Sequence, residues 1–309
     1  MKIAVVGGYG VGMTMRVLRA PAAGESVAGG SLSIGPGGKG SNQAIAAARL
    51  GAEVTLYTAI GQDRAAEDAW ELWRSESVTA TGLVGALPTM TGFIIVDAEG
   101  ENRITIAPGA LDEMTPESIE GCRAQLGAAD LAIVSLEIPV AAAVAALRIA
   151  QEEGTMTLLN PAPAATLPQA VWATVDILTP NRSEAAALLG RSGEDDDPES
   201  LAGDLQSRFG CTVVLTAGRD GVFVDDGVRK FTVAASPVDT VVDTTGAGDA
   251  FTAALGVALA GGSELADAVR FAAAAGAEAV TVRDVVPSLP TRAQVENRLK
   301  STLGTTKEP

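Results

Sequence analysis

Histidine is absent from this 309-residue chain, and the absence excludes a great deal of chemistry. It removes Ser-His-Asp and Cys-His nucleophile systems, imidazole general bases and histidine-based zinc sites together. Acid–base work must then fall to Asp, Glu, Lys, Tyr or Cys. Cysteine is nearly absent too. Cys122 and Cys211 stand far apart, make no metal-ligand spacing, and read as buried, reduced small hydrophobes. Basic residues are few: 22 Lys and Arg against 38 Asp and Glu leave a formal charge of -16. A surface so acidic repels nucleic acid and anionic membranes, so neither is an expected partner. No apolar run reaches the roughly 18 residues of a membrane span. The segment Met1–Gly8 enters a strand with none of the parts of a signal peptide. The cytoplasm is the expected location.

What is present suggests a layered α/β architecture. At 47% hydrophobic with 35 glycines, the chain can build one large domain with a small appendage. Short apolar runs at Ile3–Val6, Val54–Tyr57, Leu131–Val134, Thr157–Leu159, Ile177–Leu178, Val213–Thr216 and Val222–Val224 read as strands. Between them Asn42–Leu50, Ala65–Glu76, Val140–Glu152, Arg182–Leu189 and Leu201–Phe209 read as helices. The last third turns helical over Ala250–Ala260, Ser263–Val280 and Thr291–Leu303. This alternation predicts a three-layer α/β/α sandwich around a mostly parallel sheet.

Two stretches break the pattern. Thr14–Leu18 and Val27–Ile34 alternate like half-buried strands, with no helix directly after either. Thr91–Asp97 and Asn102–Ala107 flank Ala98-Glu99-Gly100-Glu101, a hairpin signal. Segments 13–35 and 90–108 are therefore expected to pair as a small sheet inserted in a single 1–309 domain. Such a sheet would make a lid, and its exposed face a dimer surface. The acidic run Glu194–Asp197 reads as a solvated loop.

Four junctions carry candidate chemistry, and a fifth imitates it. Gly7-Gly8-Tyr9-Gly10-Val11-Gly12 imitates a dinucleotide fingerprint. It lacks the i, i+2, i+5 glycine triplet, and a strand-like segment follows it instead of a helix. A tight turn into the lid explains it better. Gly35-Pro36-Gly37-Gly38-Lys39-Gly40-Ser41-Asn42 departs from a P-loop at both ends. It still joins a strand to a helix, with Gly37 and Gly38 exposing N–H groups and Lys39 and Asn42 offering polar heads to a small ligand. Asn181-x-x-Glu184 reads first as a helix cap, and at the C-terminal edge of a parallel sheet the same pair could organise Mg²⁺ and its waters. Thr216-Ala217-Gly218-Arg219-Asp220-Gly221 ends another strand and offers backbone and hydroxyl groups to phosphate or nucleobase. Finally, Asp243-Thr244-Thr245-Gly246-Ala247-Gly248-Asp249 sets a carboxylate beside a glycine turn at a helix start. A general base next to a nest for negative charge suits phosphoryl transfer to an alcohol.

Taken jointly, Gly37-Gly38-Lys39-Gly40-x-Asn42, Asn181-x-x-Glu184 and Asp243-Thr244-x-Gly246-Ala247-Gly248-Asp249 resemble the ribokinase-like carbohydrate kinases, the PfkB family. The order and spacing match over nearly the whole chain. Gly100-Glu101-Asn102, Leu159-Asn160-Pro161-Ala162-Pro163-Ala164 and Pro287-Ser288 resemble its ribokinase branch in particular. The resemblance implies an ATP-dependent kinase acting on a primary hydroxyl of a small sugar, with Mg²⁺ and a homodimer formed through the lid. It implies Asp249 as general base and the N–H groups of Gly246, Ala247 and Gly248 as anion hole. Asn181 and Glu184 would arrange Mg²⁺ and phosphate, Glu184 through water. Thr216, Gly218 and Gly221 match nucleotide-contacting positions, and Gly38, Lys39, Asn42 and Glu137 match positions around the sugar.

Two departures bear on the substrate and on ions. Ribokinase-type sequences carry Asn-x-Asp after the first strand, where the Asp binds sugar hydroxyls; here the positions read Gly10-Val11-Gly12. A substrate differing at those hydroxyls, or bulkier there, is the consequence. The stretch Val282–Ser288 resembles a monovalent-cation loop, implying K⁺ near Asp243, Thr245, Val280 and Ser288, with Asp284 in place of a usual glycine. A nucleoside kinase of the same family is the alternative, with Tyr9 or Met13 as a shelf for the base. A non-catalytic sugar- or nucleotide-sensing protein on the same scaffold is another.

Overall fold

Along the first strand, β1 (Lys2–Val6), Ile3 and Val5 enter one apolar cluster while Ala4 and Val6 enter another. A strand buried on both faces needs a helical layer on each side. The computed structural model, which describes residues 1–99, 101–191 and 196–304, has both layers. The chain continues as β2 (Gly10–Arg16), β3 (Ser31–Gly37), α1 (Lys39–Arg49), β4 (Glu53–Ile60), α2 (Arg64–Ser75), β5 (Val78–Val84), β6 (Met90–Val96) and β7 (Asn102–Ala107). Next come α3 (Pro116–Glu120), α4 (Arg123–Gly127), β8 (Leu131–Ser135), α5 (Val140–Glu152), β9 (Met156–Asn160), β10 (Ile177–Leu178), α6 (Arg182–Leu189) and α7 (Pro198–Phe209). The rest is β11 (Thr212–Thr216), β12 (Val222–Asp225), β13 (Lys230–Val233), α8 (Ala247–Ala260), α9 (Leu265–Ala279), α10 (Val285–Ser288) and α11 (Arg292–Gly304).

Nine strands form the main sheet in the order β13-β12-β11-β10-β9-β8-β1-β4-β5. Pairing is parallel from β11 to β5, and only the β11–β12 and β12–β13 pairs are antiparallel. Helices α1, α2, α8, α9 and α11 cover one face, and α3 to α7 the other. The predicted three-layer sandwich is therefore the observed one. Strand order reverses between β1 and β8, and in open α/β sheets ligands bind at such a switch point, beyond the carboxyl ends of the strands.

A second sheet has the order β3-β2-β6-β7, with β2 and β6 parallel and the outer pairs antiparallel. Its strands differ in detail from the hydrophobic pattern. β2 starts at Gly10 instead of Thr14, and β3 spans Ser31–Gly37 instead of Val27–Ile34. The glycines that hide these ends from an alternation test pair with each other: Gly10 with Gly37, Gly12 with Gly35 and Gly92. One face of this sheet carries Leu32, Ile34, Met15 and Phe93, exposed by 55%, 59%, 37% and 51%.

Other boundaries shift for identifiable reasons. Helix α1 begins at Lys39, three residues before Asn42, because Gly38 at φ 90° supplies the turn into it. Helix α7 begins at Pro198, since Asp197 caps it by accepting from the Ser200 N–H at 2.9 Å. The acidic run thus ends as a helix cap, while Glu194 and Asp195 lie outside the described residues, as does Gly100 of the hairpin turn. Strands β5 and β13 are unmarked by the pattern because each is a sheet edge, half open to water. No helix among the described residues is long and apolar enough to cross a membrane.

Candidate active site

The first wall of the site is held by glycine contacts. A Cβ on Gly40 would lie 2.4 Å from the Gly7 carbonyl carbon, and one on Gly38 would lie 2.5 Å from the Tyr9 Cα. The end of β1 and the start of α1 therefore touch backbone to backbone. This closeness engages two N–H groups at the start of α1. Lys39 N–H donates to Glu137 Oε2 at 2.7 Å, and Ser41 N–H to the Gly8 carbonyl at 3.0 Å. What α1 presents to the cleft is side chains: Lys39, Asn42 and Gln43.

Those side chains meet Asp249 from α8. Asn42 Nδ2 donates to Asp249 Oδ2 at 2.8 Å, and Gln43 Nε2 to Asp249 Oδ1 at 3.0 Å. Gln43 Nε2 also donates to Asn160 Oδ1 at 3.1 Å, and Asn160 Nδ2 to the Thr179 carbonyl at 3.1 Å. The two remaining amide oxygens, Asn42 Oδ1 and Gln43 Oε1, are buried without a partner among the described residues. Burial pushes the Asp249 carboxyl above its usual range, against the pull of Lys39 and both amides. Burial also pushes Glu137 up to about 7, opposed by the Lys39 N–H and ammonium and reinforced by Asp249. Lys39 itself is pulled down by burial, yet Asp249, Glu137 and Glu184 outweigh that and leave it above its ordinary value. One cation thus serves three carboxylates.

Gly246 forms the turn before α8 at φ 84°, where a Cβ would meet Val285 Cγ1 at 2.8 Å. The Ala247 N–H reaches the Thr244 carbonyl at 3.3 Å, a long bond. The N–H groups of Gly246 and Gly248 make no hydrogen bond among the described residues. The run Thr240–Val242 ahead of the turn is not a strand; Val242 N–H and Asp243 N–H both donate to the Val280 carbonyl instead.

On the neighbouring strand ends, Asn181 and Glu184 form a complete capping box. Asn181 Oδ1 accepts from the Glu184 N–H at 2.8 Å, and Glu184 Oε2 from the Asn181 N–H at 2.8 Å. Glu184 Oε1 has no hydrogen-bond partner among the described residues, and burial raises the pKa of this carboxyl. Asn181 bridges to Thr216, whose N–H donates to the Pro180 carbonyl at 2.9 Å. Gly218 and Gly221 follow at φ 57° and 95°, and a Cβ on Gly221 would lie 2.4 Å from the Val233 carbonyl oxygen.

Asp243, Thr245 and Val280 also come together. Asp243 Oδ1 accepts from Thr245 N and Oγ1 at 3.0 and 2.7 Å, and Oδ2 from the Asp284 N–H at 3.1 Å. Ser288 is turned into its own helix, donating to the Val285 carbonyl at 2.7 Å. Asp284 sits at φ 65° and ψ 151°, a conformation natural to glycine.

One residue is placed differently from expectation. Tyr9 is only 1% exposed, packs edge-on against Trp73 and donates to the Ala65 carbonyl at 3.2 Å, so it offers no shelf to a nucleobase. Gly12 stands beside Gly35 and Gly92, and a Cβ there would meet nothing closer than Ile94 Cδ1 at 3.6 Å. Gln43 and Asn160 were absent from the candidate residues although they complete the site. For Gln43 the available signal is an amide adjacent to Asn42 in a helix otherwise rich in Ala.

A model of the "pfkB family carbohydrate kinase" matches residues 9–292. The chain belongs to this family. Among the pfkB kinases it is 34% identical to the ribokinase of Bacillus subtilis (strain 168) over 298 residues, covering 96% of this chain and 99% of that one. The crystal structure of ribokinase from Thermotoga maritima superposes with a TM-score of 0.86 at 32% identity, covering 96% and 99% of the two chains. Arabidopsis thaliana ribokinase complexed with ribose and ATP gives a TM-score of 0.88 at 27% identity, covering 96% and 98%. The protein is thus a ribokinase-like sugar kinase, a phosphotransferase acting on a sugar hydroxyl.

Proposed function

We propose that this kinase transfers the γ-phosphate of ATP to a primary hydroxyl of a small sugar, a ribose-like pentose or a related one, with Asp249 as general base. The observation that carries this reading is the buried Asp249 carboxylate at the start of α8, beside Gly246 and Gly248, whose N–H groups have no partner among the described residues. Bound ATP with Mg²⁺ would supply the phosphoryl group and neutralise charge building on it. Asp249 takes the proton of the substrate hydroxyl as its oxygen attacks. The N–H groups of Gly246, Ala247 and Gly248, with the positive end of α8, hold the developing negative charge. Lys39 lies within electrostatic reach of Asp249, Glu137 and Glu184 and balances their charge. Asn42 Oδ1, buried without a partner, is free to accept from a sugar hydroxyl, and Glu137 takes a second.

On the nucleotide side, Asn181, Thr216, Gly218 and Gly221 line adjoining strand ends. No cluster of three or more His, Cys, Asp or Glu able to hold a metal occurs among the described residues. Mg²⁺ suits such a site, since it binds through one or two carboxylates, phosphates and water. Glu184 Oε1 is the carboxylate oxygen free to reach it through water. Asp243, Thr245, Val280 and Ser288 are proposed to surround K⁺, with Asp243 held below its usual pKa; burial opposes that shift, and the hydrogen bonds from Thr245 and the Asp284 N–H outweigh it.

The small sheet is proposed to act as a lid. It is rooted beside Glu137, where a Cβ on Gly8 would lie 2.5 Å from Glu137 Oε2, and its far end brings Arg16 within electrostatic reach of Asp243. Closure would exclude water from the transfer step. Its apolar face of Met15, Leu32, Ile34 and Phe93 is the proposed homodimer surface. A coupled ADP-release screen over pentoses, ketohexoses, deoxy sugars, sugar acids and nucleosides, with and without K⁺, tests the function. A sugar-dependent release is expected; release driven by nucleosides alone, or by nothing, overturns it.

A further inference from the structure

We infer that Gln43 is a positioning residue that holds Asp249 as a hydrogen-bond acceptor, and so as a base. The inference rests on the reading of Asp249 proposed above. A carboxyl buried to 6% exposure would gain by keeping its proton, and a protonated carboxyl cannot receive another. The chain of amides around it opposes that. The Thr179 carbonyl can only accept, so it fixes the Asn160 amide with Nδ2 toward it, at 3.1 Å. Asn160 Oδ1 must then face Gln43, which answers with Nε2 at 3.1 Å. That choice turns the second hydrogen of the same Nε2 onto Asp249 Oδ1 at 3.0 Å. Each amide is oriented by the one before it, and the sequence of bonds begins at a backbone carbonyl that has no alternative. Asp249 Oδ1 therefore meets a donor that cannot flip without leaving Asn160 Oδ1 unpaired in a buried setting. Gln43 is 0% exposed and Asn160 7%, so water is a poor substitute for either.

The charged groups facing Asp249 are Lys39 from α1, Glu137 after β8 and Glu184 from α6. All three are unchanged by substitution at Gln43, so a difference between variants isolates the amide. The test compares pH profiles of kcat/KM for D-ribose in wild type, Gln43→Met, Asn160→Ala and Asp249→Asn, with melting curves to verify folding. Gln43→Met is expected to move the acid limb up by about one pH unit, while turnover on the alkaline plateau falls less than tenfold. Asn160→Ala leaves Gln43 in place but frees its amide to turn, so a smaller shift in the same direction is expected; it also decides the matter if Gln43→Met fails to fold. Wild-type acid limbs in both folded variants, with Asp249→Asn inactive, overturn the inference alone. Near-normal turnover by Asp249→Asn overturns the reading of Asp249 itself.

Discussion

Both carboxylate oxygens of Asp249 are held, in a chain of side-chain amides and backbone groups running from α1 through β9 to α8. Around Gly12 on the small sheet, only backbone pairing holds the strands together. Three glycines, Gly35, Gly12 and Gly92, stand side by side there without a side chain among them. In the proposed function the first region is dense because it serves one reaction, in which a carboxylate and an anion nest must not move. The second is bare of side chains, and in the proposed function its open space selects the substrate. Reaction and selectivity are thus proposed to lie on different elements, and substitutions should separate them.

The largest separation is expected from Gly246→Ala. The added Cβ meets Val285 Cγ1 and the residue must keep φ near 84°. Turnover should fall about 100-fold, with stability lowered by about 1 kcal/mol or more and sugar preference unchanged. A steady-state series over several sugars checks this. Gly12→Asp does the opposite. The position has room for a side chain, so folding and maximal turnover should persist. The preference for ribose over 2-deoxyribose in kcat/KM should rise by on the order of tenfold. An unchanged ratio would remove Gly12 from the substrate wall.

Glu137 sits where the two regions meet, and its behaviour should be mixed. With its pKa pushed up to about 7, the native state binds more protons than the unfolded chain between the ordinary glutamate value and neutrality. Stability contributed by this group is therefore lost as pH rises through that window. Glu137→Gln should melt higher than wild type above pH 7, with the difference vanishing in acid. Its KM for sugar should rise about tenfold at pH 8, where the wild-type carboxylate is ionised. The smallest effect concerns Asp284, whose φ of 65° a glycine would adopt without strain. Asp284→Gly should gain about 1 kcal/mol, read by denaturant unfolding.

The contrast also governs what could be read beforehand. The parallel core was legible because strands such as Leu131–Ser135 are buried on both faces and leave an unbroken apolar run. Edge strands β5 and β13 were not, since water on one side dilutes the pattern. Asn181 and Glu184 were legible as a spacing, and the cap is present. Gln43 was hidden because its partners, Asp249 and Asn160, lie 206 and 117 residues away. No local spacing encodes such a contact. The hydrogen bonds from the Lys39 and Ser41 N–H groups to Glu137 and Gly8 depend on a long-range approach that is equally silent in the sequence.

The central claim is that Asp249 takes the proton of the sugar hydroxyl. Turnover by Asp249→Asn tests it most directly, with nucleotide binding followed by thermal shift as a control for folding. The account predicts kcat lowered by about 1,000-fold with nucleotide binding retained. A variant that binds nucleotide and turns over within about tenfold of wild type, well short of the loss expected on removing a general base, would contradict it.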